Sequence, residues 1–246
     1  MVTHPDPTVL YPDVAARGSL GAALRAEAEE GGFVLPLTAL ESGSLTHAIV
    51  RSTLPHRRPL HVNGGSFERQ WSIWGTDSHQ DVALVKGDTD DLAQVAGAAL
   101  AWHEGEPLSD IPLAAPFAQL TGRFEVPDSD PVRMVASEWQ LMRTEATEPE
   151  RPWHASPALV EAAHAEPALR GLYPYTSHRV LRFSTATRPG LSDVGLCLIE
   201  HDVDQFVVST DFLGRNVLAR AATAQEAVAA AVRHLPPGLG PVTLGS

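Results

Sequence analysis

Residues 173–185 read YPYTSHRVLRFST and gather two tyrosines, hydroxyl side chains, a histidine and two arginines beside apolar Val180, Leu181 and Phe183. Two chemistries could use such a set. In acid/base catalysis, His178 and Glu138 are the first candidates, with Tyr175 as a third that Tyr175→Phe would probe more mildly. In binding, Tyr173, Tyr175 and His178 would line a pocket and Arg182 would meet an anionic group, with Ser177 and Trp74 as further binding candidates. Ser177 beside His178 is not a nucleophile–base pair. On a strand, adjacent side chains point to opposite faces, so a base for Ser177 must come from elsewhere in the fold. The simplest reading is a helix-to-strand turn whose hydroxyls satisfy loose backbone groups, with a strand over 178–185.

Glu138 falls in a predicted helix over 132–146, where Val135, Trp139 and Met142 form an apolar stripe. At the border of that stripe, burial would raise its pKa, as a general acid requires. The plainer alternative is an edge carboxylate paired with Arg143 or a neighbour. Glu200-His201-Asp202-Val203-Asp204 reads as a solvated turn between two apolar strands; a metal there would need a closing ligand from elsewhere, so no metal site is assigned. His103 and His234 end two predicted helices, where an imidazolium favours the negative end of the dipole. His56-Arg57-Arg58 is the one basic cluster and reads as an exposed hairpin loop. No P-loop, G-x-G-x-x-G, H-E-x-x-H or G-x-S-x-G is present, so no cofactor is expected.

The elements that must position these residues follow from periodicity. SLGAALRAEAEE (19–30) predicts an amphipathic helix capped by Ser19 and stopped by Gly31-Gly32. Strands are predicted at FVLPLTAL, LTHAIVRST, PLHVNG and RQWSIWGT. In the last, Trp71 and Ile73 share one face while Ser72 and Trp74 share the other, which predicts a strand covered on both sides. A helix follows from about Thr89 to Glu104. Five prolines between 105 and 131 exclude a long helix and mark a connector. After the 132–146 helix come a proline-rich hinge, EPERPWHASP, and a helix that Pro167 kinks or divides. Strands over about 178–185, 194–200, 205–211 and 215–220 lead to a last helix over 224–235, opened by the capping box Thr223-Ala-Gln-Glu226.

Both halves thus run helix, consecutive short strands, Ala-rich helix. The expectation is an α+β fold of two similar halves, each an antiparallel meander sheet flanked by helices on one face. The boundaries are 1–105, a Pro-rich connector 106–131, and 132–246. Composition narrows the partners. The net charge of −12 repels phosphate backbones and anionic membranes, so neither nucleic acid nor a membrane is expected. Lys86 is the only lysine, and Cys197, in VGLCLI, reads as a buried inert thiol. The opening MVTHPDPTVLYPDV has no basic start and no apolar core, so a signal peptide is not expected and the compartment reads as cytoplasmic.

From ASEWQLM through AEPALRGLYPYTSHRVLRFST to AQEAVAAAVRHLPPGLGP, with DTDDLAQVAGAALAWHEGEPLSDI in the first half, the chain resembles an actinobacterial family of uncharacterised proteins named for natural-product biosynthesis gene clusters. The resemblance covers most of the chain from about residue 70 and implies a context in specialised metabolism, with no reaction or catalytic residues to carry over. The expected function is an accessory or binding protein for a biosynthetic enzyme, a peptide or a small-molecule intermediate. The alternatives are a cofactor-independent acid/base enzyme in the same pathway and an immunity-type protein that masks a basic partner.

Overall fold

In the computed structural model, residues 5–36, 40–41, 43–147, 155–202 and 205–246 are described, and the chain divides into two compact units, 1–121 and 122–246. The N-terminal unit opens with α1 (Pro7–Leu10), α2 (Pro12–Arg17) and α3 (Leu20–Glu30). Ser19 caps α3 as its type predicts, its Oγ accepting from the Ala22 N–H at 3.2 Å. The strands are β1 (Leu40–Glu41), β2 (His47–Val50), β3 (Leu60–Gly64), β4 (Trp71–Thr76) and β5 (Ala83–Thr89), followed by α4 (Leu92–Glu104), α5 (Ile111–Ala114) and β6 (Gln119–Leu120). All pair antiparallel in sequence order, a meander. Of FVLPLTAL, 33–36 carries no strand, 37–39 lies outside the described residues, and only Leu40 enters β1. Helix α4 begins at Leu92 rather than Thr89, because Thr89 ends β5 and Asp91 supplies the cap, accepting from the N–H groups of Ala93 and Gln94.

Period-2 alternation sends Ala48, Val50, Leu60, Val62, Trp71 and Ile73 to one face, where they meet Val95, Ala99 and Trp102 of α4. Each Val, Leu or Ile among them contributes roughly 1.5–3 kcal/mol on full burial, and each Ala methyl roughly 0.8 kcal/mol. Helices cover that face, and Trp74 stays 46% exposed on the other. The expectation of a strand covered on both sides is therefore corrected: β4 is covered on one side. Trp74 stands on the open face in a cross-strand row with His61 and Lys86.

The C-terminal unit begins with α6 (Pro131–Ala146), α7 (Pro157–Ala165) and α8 (Pro167–Arg170); Pro167 divides the predicted helix in two. Most of the hinge, 148–154, lies outside the described residues. A second antiparallel meander follows: β7 (Tyr173–Ser177), β8 (Val180–Ser184), β9 (Asp193–Asp202), β10 (Gln205–Ser209) and β11 (Val217–Ala221). The last helix is α9 (Ala224–Arg233), capped by Thr223, while Glu226 accepts from the Ala222 N–H. Leu181, Phe183, Leu198 and Val208 face Ala227, Val228 and Ala231 of α9 and Trp139 of α6. Both units are thus α+β meanders with helices on one face. Strand β9 runs through Glu200 and His201 to Asp202, so the acidic stretch is strand where a turn was expected; Val203 and Asp204 lie outside the described residues. Among the described residues, no helix is long and apolar enough to cross a membrane.

Candidate functional site

Strand β7 sits where a helix-to-strand turn was expected. Pro174 argues against a central strand, but β7 is the edge of its sheet, where a missing N–H is tolerated. Ser177 pairs with Val180, so His178 and Arg179 alone make the loop of a β7–β8 hairpin. Their φ angles, 53° and 68°, are the pair of left-handed values that a two-residue hairpin of matching twist demands. Neither residue is glycine, so the tip carries backbone strain of the kind that clusters at functional positions. The turn also corrects the expectation that Ser177 and His178 point apart. His178 has left the strand, and its Nδ1 lies 3.1 Å from the Ser177 Oγ. The predicted strand entrance is a hairpin tip.

Next to the tip, register aligns Tyr175 with Arg182, Arg182 with Cys197, and Cys197 with Ser209 across the sheet. The Arg182 guanidinium lies 5.2 Å from the Tyr175 ring centroid and forms an ion pair with Asp193, while its Nε is buried without a hydrogen-bond partner. Burial, then the charge of Asp193, pushes the Tyr175 phenol up to about 12. Burial also pushes the Cys197 thiol up. Both groups are therefore protonated near neutrality, and the sheet offers neither a phenolate nor a thiolate.

The loop after β10 reaches this row. Asp211 accepts from the N–H groups of Leu213, Arg215 and Asn216, and those bonds hold its carboxyl below the usual carboxylate range. The tight loop presents Phe212, whose ring stacks on His178 at 5.9 Å and 30°. Phe212 is 46% and Leu213 55% exposed. Gly214 lies over Ile199: an added Cβ there would sit 3.4 Å from the Ile199 Cδ1. Tyr175, Ser177, His178 and Arg182 are thus brought together, and the sequence reading missed their partners Asp193 and Phe212.

Glu138 belongs elsewhere. Its two oxygens accept from the Arg123 Nε and Nη2 at 2.8 and 2.9 Å, with side chains only 4% and 11% exposed. Arg143, the partner first considered, pairs with Glu161 instead. Tyr173 is buried beside this pair with no hydrogen bond to its hydroxyl; burial first and the charge of Glu138 second push its pKa above the ordinary tyrosine value. Among the described residues no hydrogen bond or ion pair joins Glu138 to His178, so the structure does not bring the two together. Trp74 lies in the N-terminal unit.

The elevated Tyr175 pKa sets a pH dependence. A folded value of about 12 against an ordinary 10.0 means that its contribution to stability is complete below about pH 10 and is lost as pH rises through 12. Denaturant midpoints measured from pH 8 upward should fall less steeply for Tyr175→Phe than for the unaltered chain; parallel curves would refute the burial of that hydroxyl.

Three further concavities are open clefts. One, about 480 Å³, is lined by Phe206, Arg220 and Glu226 of the C-terminal unit. A second, about 540 Å³, is lined by Gln140, Arg143, Thr144, Glu161 and His164; burial, then the charge of Arg143, lowers the pKa of His164. The third, about 470 Å³, lies in the N-terminal unit between α4 and α5. Among the described residues, no group of three His, Cys, Asp or Glu side chains could hold a metal ion. No curated protein and no solved structure matches the chain. Residues 133–246, from early α6 through the second meander and α9, match a family of unknown function (DUF6193).

Proposed function

We propose that the protein is a non-catalytic accessory protein of bacterial specialised metabolism that docks a biosynthetic enzyme or peptide intermediate on the β7–β8 tip. The observation that carries this reading is the Phe212–His178 stack, an exposed aromatic pair held in place from both sides. The strained hairpin fixes the histidine and the Asp211 loop fixes the phenylalanine. A rigid aromatic anchor loses little side-chain freedom on binding, which is why such residues dominate interface energetics. The test is calorimetric titration with the enzymes and peptide intermediates encoded in the same gene cluster. One of them should bind, and Phe212→Ala with His178→Ala should weaken it at least about ten-fold. Turnover of a cluster intermediate by the purified protein alone would overturn the reading.

A second reading, cofactor-independent acid/base catalysis, draws on His164. Its lowered pKa leaves a neutral imidazole, edge-on to Trp139 at 5.4 Å, in the cleft shared with Glu161. This reading predicts product formation that His164→Ala abolishes.

A further inference from the structure

We propose that the groove between α4 and α5 is a docking site for a cationic amphipathic helix of a partner protein, which would insert bulky apolar side chains between flanking lysines or arginines. The site is independent of the β7–β8 tip and stands whether or not that tip binds anything.

The groove follows from how α4 is used twice. Val95, Ala99 and Trp102 pack against the sheet. Gly97, Leu100, Ala101 and Glu104, at i, i+3, i+4 and i+7, form a second stripe along about 10 Å of the helix. Phe33 borders that stripe, and α5 borders it too. The approach of α5 depends on Gly97, where an added Cβ would lie 3.0 Å from the Ala114 carbonyl oxygen. Leu113 of α5 stands at the groove 80% exposed. One exposed leucine is ordinary on a protein surface; what gives Leu113 weight is its place beside Phe33 and Leu100, where it offers an entering side chain an apolar contact.

Charge selects the partner. Glu104, Glu106 and Asp110 line the same groove. Among the described residues none of the three forms an ion pair; Asp110 accepts only from the Ser109 Oγ. This contrasts with Asp13, Asp128, Glu138, Glu161 and Asp193, each of which holds an arginine. The Arg57 guanidinium donates to the Glu106 main-chain carbonyl at 2.7 Å but to none of the three carboxylates. Three carboxylates outside any ion pair around an apolar floor favour a cation-flanked apolar anchor and repel an acidic one. A groove floored by one face of α4 at that spacing suits a helical ligand that presents anchors at i, i+3, i+4 and i+7.

The probe is a fluorescein-labelled Lys/Leu peptide with leucines at that spacing, titrated into the full chain by fluorescence anisotropy. A Glu/Leu analogue and a Lys/Ser analogue serve as controls. The Lys/Leu peptide should bind at least ten-fold more tightly than either control. Leu113→Ser should weaken it at least five-fold, and combined Glu104→Gln, Glu106→Gln, Asp110→Asn at least ten-fold. Neutralising Glu29, Glu68 and Glu200, exposed carboxylates outside the groove, changes net charge equally and should alter affinity less than two-fold. Equal weakening by the two triple variants would reduce the effect to general acidity and overturn the proposal, as would unchanged binding to Leu113→Ser. A spin-labelled peptide should broaden the methyl resonances of Leu100 and Leu113 in the unaltered chain; broadening confined elsewhere overturns it without any variant. Self-association that Leu113→Ser abolishes would assign the groove to a second copy, again overturning it.

Discussion

Glu138→Ala should destabilise the C-terminal unit by about 3–5 kcal/mol, the loss expected when one partner of a buried ion pair is removed. The variant leaves the Arg123 guanidinium, 11% exposed, without the bidentate acceptor that offsets its lost hydration. Glu138→Gln retains one carbonyl acceptor and should cost less. Arg123→Met combined with Glu138→Leu removes both charges and should recover most of the loss, because apolar replacement of a whole buried pair is often neutral or stabilising. Urea unfolding of the four proteins checks this through midpoints at constant slope. A Glu138→Ala midpoint equal to that of the unaltered chain would show that the pair is solvated. The comparison also bears on function: lost activity or binding in a Glu138 variant has to be separated from lost folding before it says anything about catalysis.

Trp102→Ala should cost the N-terminal unit about 3–5 kcal/mol, as removal of a fully buried tryptophan does. Three contacts fix the indole. Its Nε1–H donates to the Arg58 carbonyl at 3.0 Å, the Arg57 guanidinium lies 4.8 Å from a ring centroid, and the ring edge rests on Gly75. A Cβ at Gly75 would meet Trp102 ring carbons at 2.7 Å and Val85 Cγ1 at 2.8 Å. Gly75→Ala alone should therefore cost about 1–3 kcal/mol by overpacking. In a Trp102→Leu background much of that cost should vanish, giving a double-mutant cycle with a clear coupling term. Additive losses in thermal unfolding would mean that ring and glycine do not share the space assigned to them.

What could be read from the sequence depended on how local the signal was. Ser19 and Thr223 announce their helices within four residues, and the alternation of Trp71, Ile73 and Trp74 gives the faces of β4. It could not say that only one face would be covered, since that depends on where α3 and α4 settle. Strand β7 was hidden by Pro174, which argues against a strand unless the strand is known to be an edge, and edge position is a property of the finished sheet. The site was half legible for the same reason. Tyr175, Ser177, His178 and Arg182 are neighbours in sequence. Phe212 arrives from 34 positions beyond His178, and Arg123 reaches Glu138 from a proline-rich stretch with no periodicity to mark it.

The meander has a consequence for synthesis. Because each strand bonds to the one made just before or after it, most backbone partners are close in sequence, as Val50 and Leu60 or Tyr173 and Ser184 are, with β5 and β6 the widest-spaced pair, and little loop entropy opposes their pairing. The roofs arrive late: α4 follows β5, and α9 follows β11. Until Ala227, Val228 and Ala231 clear the exit tunnel, one flank of Leu198, Phe206 and Val208 faces water. Nascent chains halted before residue 224 should therefore be the ones that chaperones hold longest.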